Sequence, residues 1–82
     1  MYYVYILRSE KDHKLYTGYT TDVKKRIAFH NDGMNTSTRS RRPLKLIYYE
    51  AYTSELDARR RERFLKSGRE VIKKQIEHTL KT

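Results

Sequence analysis

Hydrophobic residues come in short bursts along this chain, and the spacing inside each burst changes from one to the next. Tyr2 to Leu7 has no polar break and is rich in aromatic and branched side chains, the pattern of a strand covered on both faces. Ser9 to Lys14 is polar and contains Asp12, which suits a hairpin loop. Leu15 to Thr20 reads as the return strand. Thr20, Thr21 and Asp22 then offer an N-cap and a first-turn carboxylate for a helix reaching about Asn31. Val23, Ile27 and His30 recur at helical spacing and share a face of it. Gly33 follows, where a positive φ ends a helix.

Asn35 to Arg42 has no apolar residue and predicts a mobile loop. Pro43 precedes a strand from Leu44 to Tyr52, with Leu44, Leu46 and Tyr48 on one face and Ile47 and Tyr49 on the other. Ser54 with Asp57 is a capping-box variant that opens a helix over 55–66, and Gly68 ends it. Ser67 with Glu70 repeats the box, and Ile72, Ile76 and Leu80 form the stripe of a last helix. The predicted order is ββαβαα. That is an α+β fold, a small three-stranded antiparallel sheet flanked by helices, in one domain over residues 1–82.

Composition narrows what such a fold can do. The chain has no cysteine, which excludes disulfides and thiolate metal sites and is compatible with a reducing cytoplasm. Its longest apolar run, which contains Val4 to Leu7, is far too short to span a membrane, and no basic-then-apolar leader opens the sequence. The formal net charge is +9, and it is uneven. Residues 1–34 hold six basic and four acidic side chains, and residues 35–82 hold thirteen and six. Such a field favours a polyanionic partner, nucleic acid before membrane, because the Arg-rich stretch 59–63 has no broad apolar face opposite it. Lys24, Lys25, Arg39, Arg41 and Arg42 are the candidate phosphate-contacting residues.

Three segments carry a resemblance. Tyr3-Val4-Tyr5 stands at the place of a Gly-Ile-Tyr motif, and Tyr16-Thr17-Gly18 at the place of Tyr-Ile-Gly. The third is the helix Asp22-Val23-Lys24-Lys25-Arg26-Ile27 with His30 one turn after Arg26. A fourth match runs from Glu55 to Glu62, and the stretch Arg42 to Glu50 adds to it. In this order the chain resembles the GIY-YIG nuclease superfamily, and within it the short stand-alone bacterial proteins. The resemblance implies a metal-dependent endonuclease using one Mg²⁺ or Mn²⁺ ion. Tyr5, Tyr16, Arg26, His30 and Glu62 would be its catalytic residues, and Glu62 its metal ligand.

The chemistry of those residue types agrees. Cutting a phosphodiester needs an activated water, charge stabilisation at phosphorus and help for the leaving oxygen. Arg26 can clamp a phosphate, and a carboxylate at Glu62 suits Mg²⁺, a hard ion that binds through few carboxylates plus water and phosphate. Tyr5 and Tyr16 are phenols that need a nearby cation to serve as base, and His30 can move a proton or bond a phosphate oxygen. The bland alternatives are a packed core for Tyr5, Tyr16 and His30, and an ion pair of Glu62 with Arg59 or Lys66. His30-Asn31 is a fragment of an HNH nuclease pattern, but no second histidine stands at helical spacing, which excludes that reading. Two departures stand out: Tyr3 replaces the motif's first glycine, and Tyr19 follows Gly18 where some relatives carry Lys. With no appended DNA-binding domain, target choice would be weak or come from a protein partner. Two rival functions are a nucleic-acid adaptor of the same fold with faded catalysis, and a basic scaffold for an acidic protein.

Overall fold

The computed structural model describes residues 1–67. The last helix expected from Ile72, Ile76 and Leu80, and Gly68 as a helix end, lie outside them. Within them the order is β1 (Tyr2–Ser9), β2 (Leu15–Thr20), α1 (Val23–Asn31), a 3₁₀ turn (Arg39–Arg41), β3 (Leu44–Tyr52) and α2 (Glu55–Ser67). The strands form one antiparallel sheet in the order β2-β1-β3. The apolar burst of β1 is therefore the centre of the sheet, and Val4, Tyr5, Ile6 and Leu7 are all buried. A strand without polar breaks needs cover on both faces, and both faces have it.

Alternation along β1 sorts the core into two layers. Val4 and Ile6 pack with Ala58 and Leu65 of α2. Tyr5 and Leu7 face the other way and pack with Leu44, Leu46, Tyr16 and Ile27 of α1. The predicted face pattern of β3 fails at one point. Ile6 pairs with Tyr48 but Leu7 pairs with Leu46, so Ile47 is an extra residue in the ladder. This β-bulge flips the strand's alternation. Leu44 and Leu46 lie on the Tyr5 face, while Tyr48 joins Ile47 and Tyr52 on the Val4 face.

The connections are fastened by side chains. Asp22 is itself the N-cap of α1, accepting from the Lys25 N–H, so no carboxylate stands in the first turn as expected. Gly33 takes a φ of 78° just after the helix, in the left-handed region that glycine enters freely. Asn31 brackets the start of β3: its Oδ1 accepts from the Leu44 N–H and its Nδ2 donates to the Leu44 carbonyl. The expected mobile loop over Asn35–Arg42 is instead tied down. Thr38 is buried, Arg39 Nε donates to the Gly33 carbonyl, and Ser9 Oγ donates to the Arg41 carbonyl.

On the α2 face, Glu50 accepts from the hydroxyls of Tyr48 (2.6 Å) and Tyr52 (2.9 Å) and from Nε (2.9 Å) and Nη2 (3.2 Å) of Arg61. Burial pushes this carboxyl up, but those donors outweigh it and hold it below the ordinary carboxylate range. A folded-state pKa below the unfolded one contributes stability above the unfolded value, about 4.3 for Glu, and loses it as pH falls through the folded one. Glu50→Gln is expected to cost about 1–3 kcal/mol at neutral pH and to flatten the acid limb of a urea-unfolding series. An unchanged acid limb would remove Glu50 as its source.

Candidate active site

The sheet face covered by α1 gathers four of the five residues expected to act. Tyr5 in β1 sends its hydroxyl to Nε2 of His30 at 2.8 Å, and His30 Nδ1 meets Thr38 Oγ1 at 2.8 Å. Arg26, one turn before His30 on α1, donates from Nε to the Tyr5 hydroxyl at 3.4 Å. Tyr16 in β2 lies edge-on to His30, with ring centroids 5.0 Å apart, and 6.4 Å from the Tyr5 ring. Tyr5 and His30 are 1% and 0% exposed, so they form the buried floor of the site. Tyr16 and Arg26 are partly exposed and form its rim.

Gly18 makes this arrangement possible. It pairs with Tyr5 across the β1–β2 ladder, and a Cβ at Gly18 would lie 2.3 Å from the Tyr5 hydroxyl. No side chain fits there, so the ring of Tyr5 can lie across the sheet toward His30. The glycine of the second motif is thus a space requirement of the tyrosine of the first. Thr38 is the member that sequence reasoning missed. It sits in a Thr/Ser/Arg stretch with no apolar neighbour, and nothing in that stretch marks it as buried.

Proton positions follow from the geometry and the environment. Burial, helped by the Arg26 charge, pushes His30 down to about 4, so its ring is neutral and carries one N–H. With Arg26 Nε–H directed at the Tyr5 oxygen, the consistent assignment has Tyr5 O–H donating to Nε2 and Nδ1–H donating to Thr38. Burial is also the largest influence on Tyr5, whose phenol is pushed up to about 12 despite the nearby guanidinium. Arg26 also lies over the Phe29 ring at 4.4 Å, and only its Nε is hydrogen-bonded among the described residues. Its terminal nitrogens stay available for a phosphate.

Glu62 is placed differently. It belongs to α2, which packs on the opposite face of the sheet, and it ion-pairs with Lys66 at 3.1 Å with its side chain 20% exposed. No hydrogen bond joins it to the four clustered residues, although its charge contributes slightly to raising Tyr5. A cleft of about 860 Å³ lined by residues including Lys14, Tyr16, Arg41, Leu65 and Lys66 runs from the rim tyrosine to Glu62's ion-pair partner. Among the described residues no three His, Cys, Asp or Glu side chains converge on one point. A lone, partly exposed carboxylate fits only a hard ion that keeps its waters and takes phosphate oxygens, as Mg²⁺ does.

Of the basic residues expected to touch phosphate, Lys24 and Lys25 are exposed on α1. Arg39 and Arg42 are exposed but use Nε on the carbonyls of Gly33 and Arg39. Arg41 ion-pairs with Asp12 at 3.2 Å.

Comparison with known proteins identifies the family. The family described as the GIY-YIG catalytic domain matches residues 1–75. A UPF0213 protein of Staphylococcus haemolyticus is 49% identical over 67 residues, which cover 80% of each chain. A UPF0213 protein of Clostridium perfringens is 46% identical over 67 residues, covering 80% of this chain and 71% of its own. The solution NMR structure of a UPF0213 protein from Bacillus halodurans superposes with a TM-score of 0.60 at 40% identity, covering 96% of this chain and 85% of that one.

A neutral buried His30 has a thermodynamic signature. Its folded pKa lies below the unfolded value of about 6.5, so the unfolded chain takes up a proton that the folded one refuses. Stability is expected to rise with pH between about 4 and 6.5, by up to about 1.4 kcal/mol per unit from this group. Nitrogen-15 NMR should show His30 unprotonated at pH 5.5 with its proton on Nδ1. A ring protonated at that pH would refute the assignment.

Proposed function

This chain belongs to the GIY-YIG catalytic-domain family, and from that premise we propose that it hydrolyses nucleic-acid phosphodiesters, DNA first among them, with one divalent metal ion. The observation that carries the proposal is the joining of Tyr5, Arg26 and His30 by hydrogen bonds, with Tyr16 packed edge-on at the rim. A guanidinium held against a buried phenol–imidazole pair is a cation kept in register, as a phosphate site requires. The net charge of +9 supports the choice of substrate class.

The two tyrosines take different parts. Tyr5 is buried, its hydroxyl is bonded to His30 and Arg26, and its phenol is held protonated. It positions Arg26 and His30. Tyr16 is partly exposed, and its hydroxyl makes no hydrogen bond among the described residues. It meets the attacking water at the rim. Arg26 holds a non-bridging phosphate oxygen through its terminal nitrogens and stabilises the added charge on phosphorus. Glu62, released from Lys66, would hold Mg²⁺ or Mn²⁺, and the bound ion would supply Lewis-acid stabilisation of the phosphate and leaving oxygen. Lys24 and Lys25 extend the cationic surface along the strand. Weak target choice follows from so small a footprint, and a protein partner would supply what the domain lacks.

One observation favours the adaptor as a second reading. Glu62 already has a cation, Lys66, and a carboxylate so satisfied has no need of a metal. Glu62→Gln separates the two, because it keeps the shape and removes the charge. For a nuclease, Mg²⁺-dependent cleavage of labelled DNA should fall by about 10²-fold or more, with affinity level or slightly higher. Arg26→Ala should lower both binding and cleavage. Wild-type protein that cleaves nothing with Mg²⁺ or Mn²⁺ would leave the adaptor reading in place, and a Glu62→Gln protein that cleaves as fast as wild type would rule out Glu62 as metal ligand. Binding itself should weaken with salt, with log K falling by roughly 3–5 per decade for four to six phosphate contacts.

A further inference from the structure

The sheet face that carries the site is only half covered. Asn31 of α1 reaches β3 at Leu44, the end of the strand where Leu46 and Leu7 are packed. At the other end, Tyr49 is 56% exposed, Ala51 is exposed and Tyr3 is partly exposed. Tyr49 is the ladder partner of Tyr5, and Ala51 that of Tyr3, so all four lie on one face. The rings of Tyr3 and Tyr49 meet edge to face, with centroids 6.2 Å apart. Their edge-on contact holds Tyr49 in a fixed attitude and leaves more than half of it open to solvent.

We propose that Tyr49, braced by Tyr3, is a stacking platform for the base of a nucleotide next to the phosphate held at Arg26. The proposal rests on the nucleic-acid reading above and adds to it a residue that contacts substrate. The Tyr5 hydroxyl that holds Arg26 lies over Gly18 of β2, so Tyr49 on β3 stands two strand spacings from that anchor, about 10 Å, within reach of a neighbouring nucleotide. The occupant is set by complementarity. A phosphodiester strand supplies negative charge to Arg26 and the surrounding surface, and an aromatic face to an exposed phenol beside it; a protein or lipid partner supplies no such regular pair. Tyr3 stands where the Gly-Ile-Tyr match has glycine, and a glycine there would leave Tyr49 without its brace. Any base has the needed face, so the platform selects for unstacked bases and not for sequence.

The test uses the full chain in EDTA, so that binding is read without cleavage. The probes are a fluorescein-labelled oligodeoxynucleotide, an abasic strand of equal length and the matching oligoribonucleotide. Tyr49→Ala should weaken binding of the base-bearing DNA by about 5- to 20-fold and leave the abasic strand unaffected. Equal behaviour of the RNA would make the platform indifferent to the sugar, whereas RNA that is insensitive to Tyr49→Ala would assign it to DNA; both outcomes keep the stacking role. Tyr49→Trp should restore binding. The chain contains no Trp, so that indole is a unique reporter, expected to be quenched by the base-bearing strand and not by the abasic one. Equal losses on both DNA strands, or unchanged indole emission on a strand that binds, would overturn the platform while leaving the nuclease reading intact. If no strand binds wild type even at low salt, the nucleic-acid reading itself fails.

Discussion

One buried imidazole ties this fold together. His30 joins a strand through Tyr5 and a loop through Thr38, and it is itself part of α1. Three elements thus meet on a single ring, and each hydrogen bond to it is made where water is excluded. A bond of that kind contributes modestly when made, but leaving one partner bare costs the full desolvation of that partner. Sheet, helix and loop therefore hold a common position, and Arg26 inherits it through the Tyr5 hydroxyl. The same burial keeps the ring neutral and the phenol protonated, so the centre of the cluster is uncharged.

The sheet divides labour between its faces. Ala58 and Leu65 make the α2 face a packing layer, and Glu50 with Arg61 and two tyrosines closes its rim. The α1 face is thinner and more polar, and it holds the phenols, the imidazole and the guanidinium. The bulge at Ile47 is what lets one strand serve both. Were Ile47 paired with Ile6 in a regular ladder, Tyr48 would point at the site and Tyr49 away from it. A single local irregularity in β3 decides which of two adjacent tyrosines faces the chemistry.

Much of this was legible in the residues themselves. β2 and β3 begin and end where turn residues and apolar runs placed them, and α1 runs to Asn31 as its spacing required. Motif spacing singled out Tyr5, Tyr16, Arg26 and His30, and the structure gathers them on one face of the sheet. The bulge was not legible, because Ile47 is apolar and fits either face, so periodicity offers no sign of a slip. Thr38 was hidden for the opposite reason, since a polar residue in a polar stretch looks solvated until a buried partner is found. The ion pair of Glu62 with Lys66 was one of two pairings the helix allowed, and side-chain packing made the choice.

The strand order has a bearing on how the molecule assembles. β1 comes first in the chain yet occupies the centre of the sheet, where Ser9 pairs with Leu44 and Tyr2 with Tyr52. On a ribosome, the β1–β2 hairpin emerges with one edge of its central strand bare, and β3 completes the ladder only after most of the chain has followed. Until then the hairpin carries an unpaired, apolar edge, and Val4 and Ile6 wait longer still for α2, which follows β3. The cluster around His30 also waits, because Thr38 and β3 arrive on the same late stretch. A chain cut short before Leu44 is left with this half-sheet alone, and such a fragment should associate with itself instead of folding.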